Sequence, residues 1–94
     1  MVKIVLIGAL KQHFGRDILE IKIDKPCTLS EFVKLLYEYN PRFKDIVLDN
    51  GMPRPGYIVL LNGVDIRVYE SPKDLELHAE DEITIIPIVH GGGT

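Results

Sequence analysis

Thr28-Leu29-Ser30-Glu31-Phe32-Val33-Lys34-Leu35-Leu36-Tyr37-Glu38-Tyr39-Asn40-Pro41 carries the one sustained helical signal of the chain. Thr28 and Glu31 stand at the spacing at which a Thr hydroxyl and a Glu carboxylate satisfy each other's free backbone amides at a helix start. Leu29, Phe32, Val33, Leu36 and Tyr39 recur on one face, Glu31, Lys34 and Glu38 fall elsewhere, and Asn40-Pro41 stops the element. A helix this short is not stable by propensity alone. Burying its stripe contributes roughly 1.5–3 kcal/mol for each large side chain, so it needs a sheet to lie on.

That sheet is written on both sides of the helix. Upstream, Val2 to Ile7 is an apolar, β-branched run with one charge at Lys3, which predicts a strand buried mainly on both faces in the middle of a sheet. Asp17 to Asp24 alternates apolar and charged residues in its second half, as a half-exposed strand does, and a loose connection containing Phe14 and Gly15 joins the two as a hairpin. Pro26-Cys27-Thr28 breaks the extended chain. Downstream, Phe43 to Leu48 has no clear period, and Asp49 to Gly56 is dense in turn formers, which predicts an exposed loop. Tyr57 to Leu61 is a second apolar strand, with Asn62-Gly63 suited to a type I′ turn into Val64 to Val68. Leu75 and Leu77 anchor a polar stretch, Glu80-Asp81-Glu82 reads as a solvated acidic turn, and Ile83 to Val89 is the last strand. Pro87 cannot donate to a ladder, so pairing should be interrupted near it. One helix covering one face of about five strands predicts an α+β, β-grasp (ubiquitin-like) fold, a mixed sheet with the first and last strands adjacent at its centre.

Length and composition bound the rest. Ninety-four residues make one domain, expected over residues 1–90, with 91–94 as a flexible Gly-rich tail, and leave little space for an enclosed pocket. A formal net charge of -3 without a run of Lys or Arg argues against direct nucleic-acid binding. No apolar stretch approaches the ~20 residues of a membrane span, and the amino terminus is unlike a signal peptide, so the chain reads as cytoplasmic. The single cysteine, Cys27, excludes an internal disulfide and any four-cysteine zinc or iron–sulfur site.

Motifs for catalysis are missing. There is no phosphate loop, no Gly-x-Gly-x-x-Gly between a strand and a helix, and no His-Glu-x-x-His. His13, His78 and His90 lack zinc-motif spacing and read as surface residues. Ser30 and Ser71 suit capping and turn roles. Cys27, beside the helix start, reads as a small, partly buried thiol rather than a low-pKa nucleophile. What remains is the end of the chain, where an apolar strand runs into Gly91-Gly92-Gly93-Thr94.

Leu77 to Gly92, with its acidic turn, strand, proline and closing Gly-Gly, resembles the terminal segment of the sulfur carriers that serve molybdopterin synthesis, and Val5 to Gly15 is similar to that family's first strand and turn. Arg54-Pro55-Gly56-Tyr57-Ile58-Val59-Leu60-Leu61-Asn62 and Val89-His90-Gly91-Gly92 resemble more closely the ubiquitin-related modifier branch, which carries sulfur for tRNA thiolation and also tags proteins. Over nearly its whole length the chain is thus similar to the MoaD/ThiS-type sulfur carriers. The resemblance implies a non-enzymatic protein with no bound cofactor. An adenylyltransferase akin to ubiquitin-activating enzymes uses ATP to activate Gly92, which becomes a thiocarboxylate or, as the alternative, is attached to a target lysine. His90, Gly91 and Gly92 would thread the partner's channel, where glycine permits any backbone angle. A β-grasp interaction module with an inactive tail is the third, less favoured reading.

The implied partners are that adenylyltransferase, a molybdopterin synthase large subunit or a tRNA-thiolation enzyme, conjugation targets, and a protease that trims the tail. Here the chain departs from the family, because Gly93 and Thr94 follow Gly92. Three readings stay open: a precursor to be trimmed, residues added for expression, or a native extension that blocks activation. In the last strand Ile83, Ile85 and Pro87 share one face, and Thr84, Ile86 and Ile88 the other. If the first set meets the helix, Ile86 and Ile88 are left either for docking to partners or to be covered by neighbouring loops.

Overall fold

The computed structural model describes residues 1–88. Five strands form one sheet in the order β2 (Ile18–Ile21), β1 (Val2–Leu6), β7 (Glu82–Pro87), β4 (Tyr57–Leu61), β5 (Val64–Asp65). β1 and β7 run parallel at its centre, with Ile4 opposite Ile83, and every other pair is antiparallel. The expected mixed β-grasp sheet is therefore present. Helix α2 (Leu29–Tyr39) lies over one face and buries Leu29, Phe32, Val33 and Leu36. They join Val2, Ile4, Leu6, Leu19, Val59 and Ile85 in one core cluster, and no polar or charged residue among those described is buried.

The capping box forms as expected. The Glu31 backbone N–H donates to the Thr28 hydroxyl at 3.1 Å, and the Thr28 backbone N–H donates to the Glu31 carboxylate at 2.8 Å. That backbone bond, and next the Thr28 hydroxyl, hold the Glu31 carboxyl below the usual carboxylate range. Thr28→Ala is expected to cost about 1 kcal/mol in urea unfolding at neutral pH. Because the folded pKa of Glu31 lies below its unfolded value, the carboxylate's contribution is complete above the unfolded pKa. It is lost as pH falls through the folded one, and the gap between the two proteins should narrow across that window. A gap constant with pH would contradict the assignment.

Several local expectations are corrected by long-range packing. β1 is buried on one face only: Val2, Ile4 and Leu6 point inward, while Lys3 is exposed and Val5 half-exposed, because no helix covers the other side. The connection to β2 is not loose but a short helix, α1 (Ala9–Phe14), ended by Gly15 in the left-handed region at φ 77°. Its Phe14 stacks on Phe43 with ring centroids 4.7 Å apart. Tyr39 is 50% exposed, and Tyr37 faces inward instead, its hydroxyl donating to the Val47 carbonyl at 2.7 Å. The loop after Leu48 is not wholly exposed. Gly51 is buried at φ 87°, where a Cβ would stand 2.6 Å from Leu29 Cδ2, and Val47 pairs with Pro53.

Asn62 (φ 49°) and Gly63 (φ 84°) make the left-handed turn that was predicted, but the strand after it ends at Asp65. The Asp65 carboxylate accepts the Arg67 backbone N–H at 2.9 Å and winds Ile66–Val68 into a 3-10 turn that buries Ile66. Cys27–Thr28 is not a break but strand β3, paired with β6 (Glu76–Leu77) in a small second sheet. Both strands are two residues long, too short to leave a periodic signal.

Candidate functional site

The central strand β7 leads toward the carboxyl terminus, so its surroundings define the ground from which the tail leaves. Gly91 and Gly92, His90, and the boundary expected between residues 90 and 91 lie outside the described residues. The approach to them is well defined. Asn62 donates to the Glu82 carbonyl at 2.8 Å and Ile88 to the Gly56 carbonyl at 2.7 Å, which fixes the alternation between β7 and β4. Even-numbered residues of β7 therefore direct their backbone groups to β4, and odd-numbered ones to β1.

Pro87 falls on the β1 side, beyond Leu6↔Ile85, where β1 has already ended. Its missing N–H thus costs nothing, and pairing with β4 continues through Tyr57↔Pro87, contrary to the expected interruption. Gly8 passes nearby at φ 61°, its notional Cβ 3.5 Å from Pro87 Cγ. The same pairing sets Arg54-Pro55-Gly56-Tyr57 beside the last described residue. That segment is held by the Arg54 side chain, which donates to the Lys44 carbonyl. Two stretches far apart in sequence thereby meet at the tail's root.

Side-chain parity is as read from the sequence. Ile83 and Ile85 are buried under the helix, Pro87 is half-buried, and Thr84, Ile86 and Ile88 point to the outer face. There Ile86 lies opposite Ile58, and Thr84 lies between Val5 and Leu60. Ile86 is half-buried and Ile88 is 41% exposed, so neighbouring loops do not cover them fully. Ile7, 40% exposed at the end of β1, widens the patch. At the far end of the strands Lys3 stands opposite Glu20 and Glu82, its Nζ 4.0 Å from the Glu82 carboxylate. The outer face is thus graded, charged where β7 begins and apolar where it ends.

Sequence reasoning named only Ile86 and Ile88. Val5, Ile7, Ile58 and Leu60 were missed, although the unbroken apolar run Tyr57–Leu61 is the mark of a strand apolar on both faces. Also missed was a 160 Å³ cleft on the other side of the root, lined among others by His13, Arg42, Tyr57 and Pro87. The Arg42 guanidinium donates there to the His13 carbonyl at 3.2 Å.

The remaining candidates do local work. Burial, and next the Glu31 carboxylate, push the Cys27 thiol above its ordinary value, so it is protonated at neutral pH despite standing at a helix start. Ser30 lies 3.3 Å from the Thr28 hydroxyl, and Ser71 donates to the Asp74 carboxylate at 2.7 Å. The acidic turn is not simply solvated. Burial opposes the charge of Asp81, but the His78 backbone N–H at 2.7 Å and the Asn62 side-chain amide at 3.0 Å outweigh it and hold this carboxyl below its usual range. His78 also lies 2.9 Å from the Glu76 carboxylate. Among the described residues no three His, Cys, Asp or Glu converge as a metal-binding group, and no helix is long and apolar enough to cross a membrane.

The β-grasp chain is similar to known proteins over nearly its whole length. The family model of the ubiquitin-related modifier (Urm1) matches residues 2–92. The chain belongs to the ubiquitin-related modifier family. Within that family it is similar to the ubiquitin-related modifier 1 of Saccharomyces cerevisiae (strain YJM789), at 32% identity over 97% of both chains. Among solved structures it is similar to the small archaeal modifier protein 1 of Methanosarcina acetivorans, with TM-score 0.71 and 26% identity over 97% of this chain and 95% of that one. A chain of the BexX/CysO complex of Amycolatopsis orientalis shares the fold, with TM-score 0.75 and 22% identity over 98% and 100%. As a ubiquitin-related modifier, the chain is one of the ubiquitin-like carriers and modifiers, and its match to the family spans residues 2–92, closing at the second glycine of Gly91-Gly92.

Proposed function

We propose that this ubiquitin-related modifier is a cytoplasmic sulfur carrier whose working terminus is Gly92, exposed by removal of Gly93 and Thr94. The observation that carries the reading is a family match that ends at Gly92 while the chain continues for two residues. A terminal carboxyl group has a pKa near 3.5, so at neutral pH it is an anion and a poor electrophile. Activation supplies the leaving group. The carboxylate attacks the α-phosphorus of ATP on an adenylyltransferase, releasing pyrophosphate and forming an acyl adenylate. A persulfide sulfur then displaces AMP, and reduction of the sulfur–sulfur bond by a thiol leaves the thiocarboxylate.

In this reading the chain is the substrate and holds no cofactor. His90, Gly91 and Gly92 thread the enzyme's channel, and Ile86 and Ile88, with Ile7 and Ile58, dock on its surface. Ordering each tail residue costs roughly 1–2 kcal/mol of backbone entropy, offset by main-chain hydrogen bonds in the channel. The thiocarboxylate goes to a molybdopterin precursor on a synthase large subunit or to a tRNA base on a thiolation enzyme. Attack on the same adenylate or its derivative by a target lysine gives an isopeptide bond, and the word modifier in the names of the yeast and archaeal relatives favours keeping this second use.

Pyrophosphate exchange with the adenylyltransferase tests the reading. The chain ending at Gly92 should exchange, and the chain ending at Thr94 should be about 100-fold slower or more, because its carboxylate is displaced from the nucleotide. If neither form exchanges, carrier and modifier both fail. Intact mass after addition of a sulfur donor reports the thiocarboxylate, and conjugates in cell extract report protein attachment.

A further inference from the structure

The two edges of the sheet differ. β5 is two residues long and runs at once into a 3-10 turn, a common way of closing an edge. β2 has no such protection. Its pairing with β1 is anchored by the Leu6 N–H donating to the Asp17 carbonyl at 2.8 Å, so residues 17, 19 and 21 turn their backbone groups toward β1. Ile18 and Glu20 turn theirs outward, the same alternation carried one residue past the end of β2 would set Lys22 with them, and among the described residues these groups have no backbone partner. Beside this edge lies a 250 Å³ groove lined by Lys22, Ile23, Asp24, Lys25, Cys27 and Leu35. Leu35 is 36% exposed and Ile23 half-buried.

The edge reads as complementary to itself. In an antiparallel pairing of two copies, outward-facing residues must meet outward-facing residues, so only alternate registers are open. Pairing about Glu20 sets two glutamates face to face. Pairing about Lys22 opposes two lysines, and pairing about Leu19 sets Ile18 against Glu20 twice over, with no opposite charges across the ladder. Pairing about Ile21 sets Glu20 against Lys22 of the second copy twice over, Ile21 against Ile21, and Leu19 against Ile23. Opposite charges directly across a ladder stabilise it, and like charges oppose it. The chain bends at Asp24 and Lys25, which limits a contact centred on Ile21 to Leu19–Ile23.

We propose that β2, continued through Lys22 and Ile23 when paired, is a self-association edge: two copies join antiparallel about Ile21, Glu20 of each facing Lys22 of the other, into a continuous ten-stranded sheet. The two-fold axis stands perpendicular to the sheet, so both α2 helices lie on one side and the Ile23–Leu35 grooves are brought together. The outer apolar face and the tail's root, two and three strands away at β7 and β4, stay free for the docking proposed above. So short an edge buries less than the ~1,200–2,000 Å² of a stable interface, and a dissociation constant of roughly 10 μM to 1 mM follows.

Sedimentation equilibrium of the full chain from about 10 μM to 1 mM, with backbone amide exchange, tests this. Expected is a monomer–dimer equilibrium with protection at Glu20 and Lys22 rising with concentration. Lys22→Glu should weaken association about 10-fold or more, since it sets two pairs of like charges across the ladder. Glu20→Lys should do the same, and the double exchange Glu20→Lys/Lys22→Glu should restore it. Circular dichroism checks each fold, and Lys22→Glu, whose own Asp24 partner is an exposed contact at 3.9 Å, leaves the monomer intact. A monomer at 1 mM overturns the proposal, as does association indifferent to the single reversals or not restored by the exchange. Protection of the edge amides only on adding the adenylyltransferase would assign the edge to another protein's strand, and also overturns it. None of these outcomes depends on whether Gly92 is activated.

Discussion

Phe32→Ala is expected to destabilise the domain by about 3–5 kcal/mol, out of a total of roughly 5–15 kcal/mol for a domain of this kind. Phe32 is fully buried near the middle of the α2 stripe, and removing its ring takes away both transfer free energy and the contacts of the cavity lining. Only one main helix covers the sheet, so the sole layer opposing Ile4, Leu6, Val59 and Ile85 is the one opened. Urea unfolding should show the loss as a lower midpoint with little change of slope, and melting should fall roughly 4–8 °C for each kcal/mol. Tyr39→Ala is the control. It changes an aromatic residue of the same helix that is 50% exposed, and should stay within about 0.5 kcal/mol of the wild type. Equal losses in the two variants would contradict the packing described for α2.

Ile86→Asp should leave the fold standing and disable activation. The side chain is half-buried on the outer face opposite Ile58, and the inner core is untouched, so the cost to folding is set mainly by strand preference, about 1 kcal/mol. In a docked complex the new carboxylate would be desolvated against apolar surface without a partner. Central interface positions of this kind cost about 2–4 kcal/mol, which is roughly 30- to 1,000-fold in kcat/KM for adenylation of the chain ending at Gly92. The loss should sit in KM, with turnover at saturation preserved, because Ile86 is remote from the reacting carboxyl. Tyr39→Ala, on the helix side, should show no effect. Unchanged adenylation by a folded Ile86→Asp would remove the outer face from the docking surface.

Both predictions rest on which way particular side chains point, and here the reach of sequence reasoning can be traced residue by residue. Thr28 and Glu31 declare the start of α2 because the capping box is completed within four residues. The period set Tyr39 on the buried stripe in place of Tyr37, since both side chains are amphipathic; the Val47 carbonyl, delivered by the following segment, decides that Tyr37 turns inward. Ile83 and Ile85 against Ile86 and Ile88 were legible as two sets, and the helix decides which set is covered. Pro87 was read as a disturbance because the missing N–H is local knowledge. That it points to the vacant side of β1 is knowledge of register.

The sequence by itself determined the order of the five strands of the main sheet and helix α2, the start of that helix, the Asn62-Gly63 turn and the Gly91-Gly92 pair on which the proposed chemistry depends. Each is specified by residues within a few positions of one another, where backbone preferences and local hydrogen bonds act. Tertiary structure alone decided that β1 is covered on one face only, that Cys27-Thr28 meets Glu76-Leu77, that Gly51 closes on Leu29, and that an apolar band lies on the outer face where β7 ends. Those contacts join segments tens of residues apart. They are selected by the joint burial of one core, which no single stretch encodes.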